Sequence, residues 1–196
     1  MCLCEQDLLK LLAEDPHCNF NLLVEQYQQK LFVSILYMVR HKQDAEDIMQ
    51  ETFIRAYRCL ISPGEEMPNK LTAWLFKIAY RCALNHITRG GKRSSQLVSI
   101  DCSDIRELLE STRYGQYASA EQAVEEREAL YHLYTCVQQL RDHQRLPLIL
   151  HHIVGLGYQE VAHILEQPLN TTKSNAHRGL KALRKLLQDQ MPEEVN

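Results

Sequence analysis

The chain has no apolar run approaching the roughly 18 residues of a membrane span, and its first residues, MCLCEQDLL, carry no basic region and no signal-peptide core. It also lacks paired cysteine spacing. The seven cysteines at 2, 4, 18, 59, 82, 102 and 136 are odd in number and irregularly placed, which argues against a secreted disulfide framework. A cytoplasmic protein without membrane insertion is the expectation. No Gly-rich phosphate loop and no nucleophile elbow appears. Cys2, Cys4, His17 and Cys18 number enough for a zinc ion, but Cys-x-Cys and His-Cys spacing is far from a zinc-finger pattern. Glu160-x-x-His163 would be half of a di-iron site, and the second Glu-x-x-His is missing. The expectation is therefore no catalysis, no metal and no cofactor.

Sustained strand alternation is absent too. Nearly every segment repeats its apolar residues at the helical period, so the 196 residues are expected to be all-α, in two small domains of residues 1–93 and 119–190 joined by a linker at 94–118. The net charge of -3 hides a strong patterning. From Lys70 to Ile100 there are six Lys or Arg residues and no acid, the stretch 101–128 is dominated by Asp and Glu, and the C-terminal part is basic again. Because charges are screened over about 8 Å, such patches act separately, and a net acidic chain can still bind nucleic acid.

Helices are expected over 5–14, 19–39, 44–60, 71–93, 119–140, 144–154 and 158–165, with a last one opening at Thr171. In the third, Asp44 is expected to cap the helix and Asp47 to complete a capping box; Ala45, Ile48, Met49, Thr52 and Ala56 form the buried face. The opposite side holds Asp47, Gln50, Glu51 and Arg58, with Ile54 among them. A β-branched apolar residue in a charged face suggests a docking surface, apolar at its centre and polar at its rim. In the fourth helix, Leu71, Leu75, Ile78, Ala79 and Cys82 form the apolar stripe and Lys77, Arg81 and Asn85 a polar one. Trp74 lies on the border. It either caps the core or, beside a basic row, offers a stacking platform for an unpaired base.

The last helix has the sharpest division. Thr172, Ala176, Leu180, Leu183 and Leu187 share one face, and Lys173, Ser174, His177, Arg178, Lys181, Arg184 and Lys185 collect opposite them. Residues 158–165, the turn Glu166-Gln167-Pro168 and this basic helix spell a helix-turn-helix, whose second member enters the major groove. Gly157 stands where a serine cap is usual, and Gly179 lies inside the helix, at about 1 kcal/mol against alanine.

Residues 20–60 with 71–93, carrying DAEDIMQETFIRAY and WLFKIAYRCALNH, resemble region 2 of the extracytoplasmic-function branch of bacterial sigma factors. Residues 119–187, carrying GLGYQEVAHIL and PLNTTKSNAHRGLKALRKLL, resemble region 4. The resemblance implies that Asp47, Gln50, Glu51 and Ile54 dock on core RNA polymerase. It implies that Trp74, Lys77, Arg81 and Asn85 serve the minus-ten element, with Arg89, Lys92 and Arg93 on phosphates. It implies that Lys173, Ser174, Asn175, His177, Arg178, Lys181, Arg184 and Lys185 serve the minus-thirty-five element. Asn175 stands where a basic residue is common, so it either reads adenine or marks a lost phosphate contact. Promoter DNA, core polymerase and an anti-sigma factor are the implied partners. The competing readings are a helix-turn-helix regulator that binds duplex DNA unaided and a metalloenzyme on a helical bundle.

Overall fold

The computed structural model describes residues 3–62, 67–89 and 120–189, and these contain eight α-helices and no strand. They are α1 (Glu5–Glu14), α2 (Pro16–Val39), α3 (Lys42–Ile61), α4 (Leu71–Arg89), α5 (Ala120–Gln139), α6 (Asp142–His152), α7 (Tyr158–Ile164) and α8 (Leu169–Asp189). Helices α1 to α4 belong to one compact unit; α5, α6, α8 and most of α7 belong to a second. The expected linker at 94–118 and the Ser119 cap lie outside the described residues.

In the first unit α2 is the hub, touched by α1, α3 and α4. That explains why its burial exceeds one stripe: besides Leu23, Tyr27, Leu31 and Ile35, residues Val33, Ser34, Leu36 and Tyr37 are buried. Asp15 makes the sharp join with α1. Its extended backbone closes α1 and its carboxylate opens α2, accepting the His17 and Cys18 N–H groups at 2.9 and 3.1 Å. Pro16 takes the first helical position, where its missing N–H costs nothing, so α2 starts three residues before the expected Asn19. The Cys18 thiol and the two N–H bonds hold the Asp15 carboxyl below the usual carboxylate range, while Asp15 pushes the Cys18 thiol up. Cys4 caps α1 through its sulfur, and His17 Nδ1 bonds Tyr57 Oη at 2.6 Å, so three members of the conceivable zinc set are used locally.

Helix α3 differs from expectation at its start. His41, not Asp44, is the N-cap, its Nδ1 accepting the Asp44 N–H at 3.3 Å. The helix runs back to Lys42 because Lys42 and Gln43 are good helix formers, and it stops at Arg40, which closes α2 in a left-handed conformation. Asp44, freed from capping, lies between two imidazoles, 3.4 Å from His41 Nδ1 and 3.3 Å from His86 Nε2 on α4. Ala45, Ile48, Thr52 and Ala56 are buried as expected and Met49 only partly so; Phe53 joins them and meets Phe20 edge to face. On α4, Leu71, Leu75, Ala79 and Cys82 are buried, together with Phe76 and Ala83, because α4 contacts both α2 and α3. Burial pushes the Cys82 thiol up, which keeps it protonated in the core.

In the second unit α8 packs chiefly on α6 and also touches α5. Helix α6 starts at Asp142, two residues earlier than expected, so Pro147 lies beyond the first turn and leaves one helical acceptor without its usual donor. Arg145 is 1% exposed; its guanidinium bonds Asp142 Oδ1 at 2.6 Å and reaches the Leu140 carbonyl at 3.4 Å, tying α6 to the end of α5. His151 stacks on Tyr158 with ring centroids 3.9 Å apart and bonds the Leu156 carbonyl through Nδ1 at 2.7 Å, bracing the turn where Gly155 has φ +89°.

Candidate docking face and nucleic-acid interface

The rotation of α3 is set by its buried residues, including Phe53 and the Phe20–Tyr57 edge contact at 5.0 Å. With that side fixed, Asp47, Gln50, Glu51, Ile54 and Arg58 all face outward. Ile54 is 51% exposed at the centre. Glu51 takes the Arg55 guanidinium at 2.5 Å, so part of its charge is already neutralised. Ile61, 39% exposed and two turns beyond Ile54, extends the apolar line past Arg58. Sequence reasoning missed it, although its seven-residue spacing from Ile54 is visible.

On α4, Arg81 and Asn85 are exposed, and Trp74 and Lys77 are partly exposed. Lys77 and Arg81 lie on the side away from Leu71, Leu75, Ala79 and Cys82, while Trp74 and Asn85 flank that row. Arg89 is the last helical residue, and Lys92 and Arg93 lie outside the described residues.

The entry to α7 retains half of a capping box. Gly157 has no side chain to donate or accept, but Glu160 reaches back and its Oε2 accepts the Gly157 N–H at 2.7 Å. Glu160 thereby ties the first turn of α7 to the residue that precedes it. After α7, Glu166 adopts a left-handed φ of 54° and Gln167 N–H closes onto the Ala162 carbonyl at 3.0 Å, a helix-ending turn with glutamate at the glycine position. Pro168 then accepts the Thr172 N–H at 3.0 Å and the Thr172 hydroxyl at 3.2 Å, so α8 starts at Leu169 rather than Thr171.

Thr172, Ala176 and Leu183 of α8 are buried as expected and Gly179 joins them, while Leu180 and Leu187 are only partly buried. Lys173, His177, Arg178, Lys181, Arg184 and Lys185 are exposed, Ser174 is partly exposed, and no acid occurs before Asp189. Asn175 departs from this face. It is 7% exposed and shares a row with Gly179, the residue at which α8 approaches α6, so it is a packing residue and not part of the basic surface. The sequence pattern put it on the flank, and the width of the α6 contact turned that flank inward.

Residues 23–93 match the family described as Sigma-70 region 2 and residues 132–183 the family described as Sigma-70, region 4. The chain is 29% identical over 184 residues to the RNA polymerase sigma-H factor of Pseudomonas aeruginosa, covering 94% of each protein. It is 26% identical over 181 residues to the ECF RNA polymerase sigma-E factor of Escherichia coli, covering 92% of this chain and 93% of that one. Among solved structures it is similar to the sigma factor RpoE in complex with the anti-sigma factor NepR from Bartonella quintana. There the TM-score is 0.63 at 22% identity, covering 88% of this chain and 99% of that one. It is also similar to CnrH in complex with the cytosolic domain of CnrY, with a TM-score of 0.62 at 20% identity, covering 95% and 99%. With both regions matched in order and relatives of this branch aligned along nearly its whole length, the chain belongs to the extracytoplasmic-function branch of the sigma-70 family.

Proposed function

We propose that the protein acts as an alternative sigma factor, working in the cytoplasm with no catalytic chemistry of its own. It recruits core RNA polymerase through Asp47, Gln50, Glu51 and Ile54 on α3. Trp74, Lys77, Arg81 and Asn85 on α4 engage the minus-ten element, Trp74 stacking an unpaired base while the cations follow the backbone, with Arg89, Lys92 and Arg93 on flanking phosphates. Lys173, Ser174, His177 and Arg178 of α8 read the minus-thirty-five element in the major groove, and Lys181, Arg184 and Lys185 hold phosphates.

The observation that carries this assignment is the division of α8. Its Thr172–Ala176–Gly179 row is buried within the second unit, while six cationic or imidazole side chains point outward from the second helix of a helix-turn-helix. Neither promoter contact has to be strong alone, because polymerase holds both on the same DNA and makes the second effectively intramolecular. An anti-sigma factor restrains the protein until its signal arrives; the similar sigma factor RpoE of Bartonella quintana is itself in complex with an anti-sigma factor.

Transcription by core polymerase plus this protein on genomic DNA, followed by mapping of transcript starts, is the test. Discrete starts sharing two spaced elements are expected, with no tight duplex binding by the chain alone. Site-specific duplex binding at nanomolar concentration without polymerase would mean a helix-turn-helix regulator instead.

A further inference from the structure

Helix α4 opens directly after Lys70, whose side chain has no acceptor for the free N–H groups of the first turn. A distant helix supplies what is missing. Glu5 of α1 accepts the Thr72 N–H through Oε1 at 2.8 Å, across 67 residues of sequence. The Thr72 hydroxyl is in turn hydrogen-bonded to Tyr27 Oη of α2 at 2.8 Å. Helix α1 is itself anchored: Leu8 and Leu12 are fully buried, Asn19 Nδ2 donates to the Leu11 carbonyl at 2.7 Å, and Gln26 Nε2 donates to the Leu3 carbonyl at 3.2 Å. A carboxylate at this end of α4 also complements the helix dipole. Trp74 lies in the same first turn, its N–H bonded to the Lys70 carbonyl at 3.1 Å.

We propose that Glu5 is a positioning residue for promoter opening, holding the first turn of α4 and with it the Trp74 ring in the geometry that receives an unpaired base. This rests on the assignment of α4 to the minus-ten element made above. Extruding a base from a duplex requires unstacking and unpairing, so capture succeeds when the receiving ring is already in place. If the first turn frays, Trp74 spends less time in that position and re-pairing of the strands wins more often. The effect falls on opening and not on recruitment, because the docking face belongs to α3.

The experiment uses full-length protein with core polymerase on a duplex promoter fragment taken from the transcript map, and on the same fragment mismatched across the minus-ten segment. Permanganate reactivity of unpaired thymines reads opening, and competition for core polymerase reads recruitment. Glu5→Ala should lower opening on the duplex about five- to tenfold and bring it back to within about twofold on the mismatched fragment, with recruitment unchanged. Glu5→Gln, which retains an acceptor oxygen, should stay within about twofold of the parent on both templates. Equal losses on the two templates, equal losses for the Ala and Gln variants, or normal opening by Glu5→Ala each overturn the proposal. Trp74→Ala is measured in parallel. Normal duplex opening by Trp74→Ala overturns the assignment of α4 itself, whereas a Trp74→Ala defect with a normal Glu5→Ala overturns only the role of Glu5.

Discussion

Gly179 of α8 runs so close to Gln144 of α6 that a Cβ on the glycine would lie 2.8 Å from the Gln144 carbonyl oxygen. The obstacle is backbone, which cannot swing aside as a long side chain can. A mid-helix glycine normally costs about 1 kcal/mol against alanine, and here it is the condition for the two helices to meet. Gly179→Ala should therefore fail to give the usual gain. A net loss of about 1 to 2 kcal/mol is expected once overpacking offsets the better helix propensity, read by urea unfolding followed by circular dichroism.

On the outward face of α3, recruitment and folding should be separable. Ile54 is half exposed, so Ile54→Glu should leave the thermal midpoint nearly in place while weakening core polymerase binding by about tenfold or more, as loss of a central apolar anchor does. Gln50→Ala should act in the same direction with a smaller effect. Unchanged assembly by both variants in a competition assay would remove this face from the polymerase interface.

Residues of α8 that share a charge should differ in what they read. Arg178→Ala is expected to cost about 1 to 3 kcal/mol at one preferred base pair and to relax selectivity there, whereas Lys185→Ala should weaken binding to all sequences and reduce the salt slope by about one. Asn175→Ala should leave base preference unaltered and lower stability, because Asn175 is buried beside the α6 contact. These are measured on holoenzyme with promoter variants at several salt concentrations. A sequence-independent loss for Arg178→Ala would make the whole face a phosphate clamp.

His152, at the exposed end of α6, is shifted below the ordinary histidine value of about 6.5, first by partial desolvation and then by the neighbouring His151 imidazole. A lowered folded-state value means that the unfolded chain binds the proton more readily. The contribution is therefore present above pH 6.5 and is lost as pH falls through the folded value. Proton resonances of the imidazole should titrate below 6.5, and His152→Gln should flatten that part of the stability profile between pH 7 and 5. Titration at or above 6.5 would contradict it.

Much was legible in the chain because helical periodicity is local. The stripes of α4 and α8, the exposure of Ile54 and the order of the two regions follow from which residues recur at three and four positions, and the resemblance to sigma regions 2 and 4 is carried by contiguous blocks. Helix starts were less legible. Asp44 has the right chemistry for a cap, and what displaced it was a left-handed Arg40 and an available His41, whose competition no propensity scale ranks.

The sequence by itself determined the helices, their two-faced character and the family, since each depends on neighbours within a turn or a contiguous motif. Only the tertiary structure decided that Asn175 turns inward, that Gly179 is a point of helix approach, that Arg145 is buried against the end of α5, and that Glu5 caps Thr72. Those relationships join residues on separate helices, and which side chains meet is set by how the helices pack, a property that no single stretch contains.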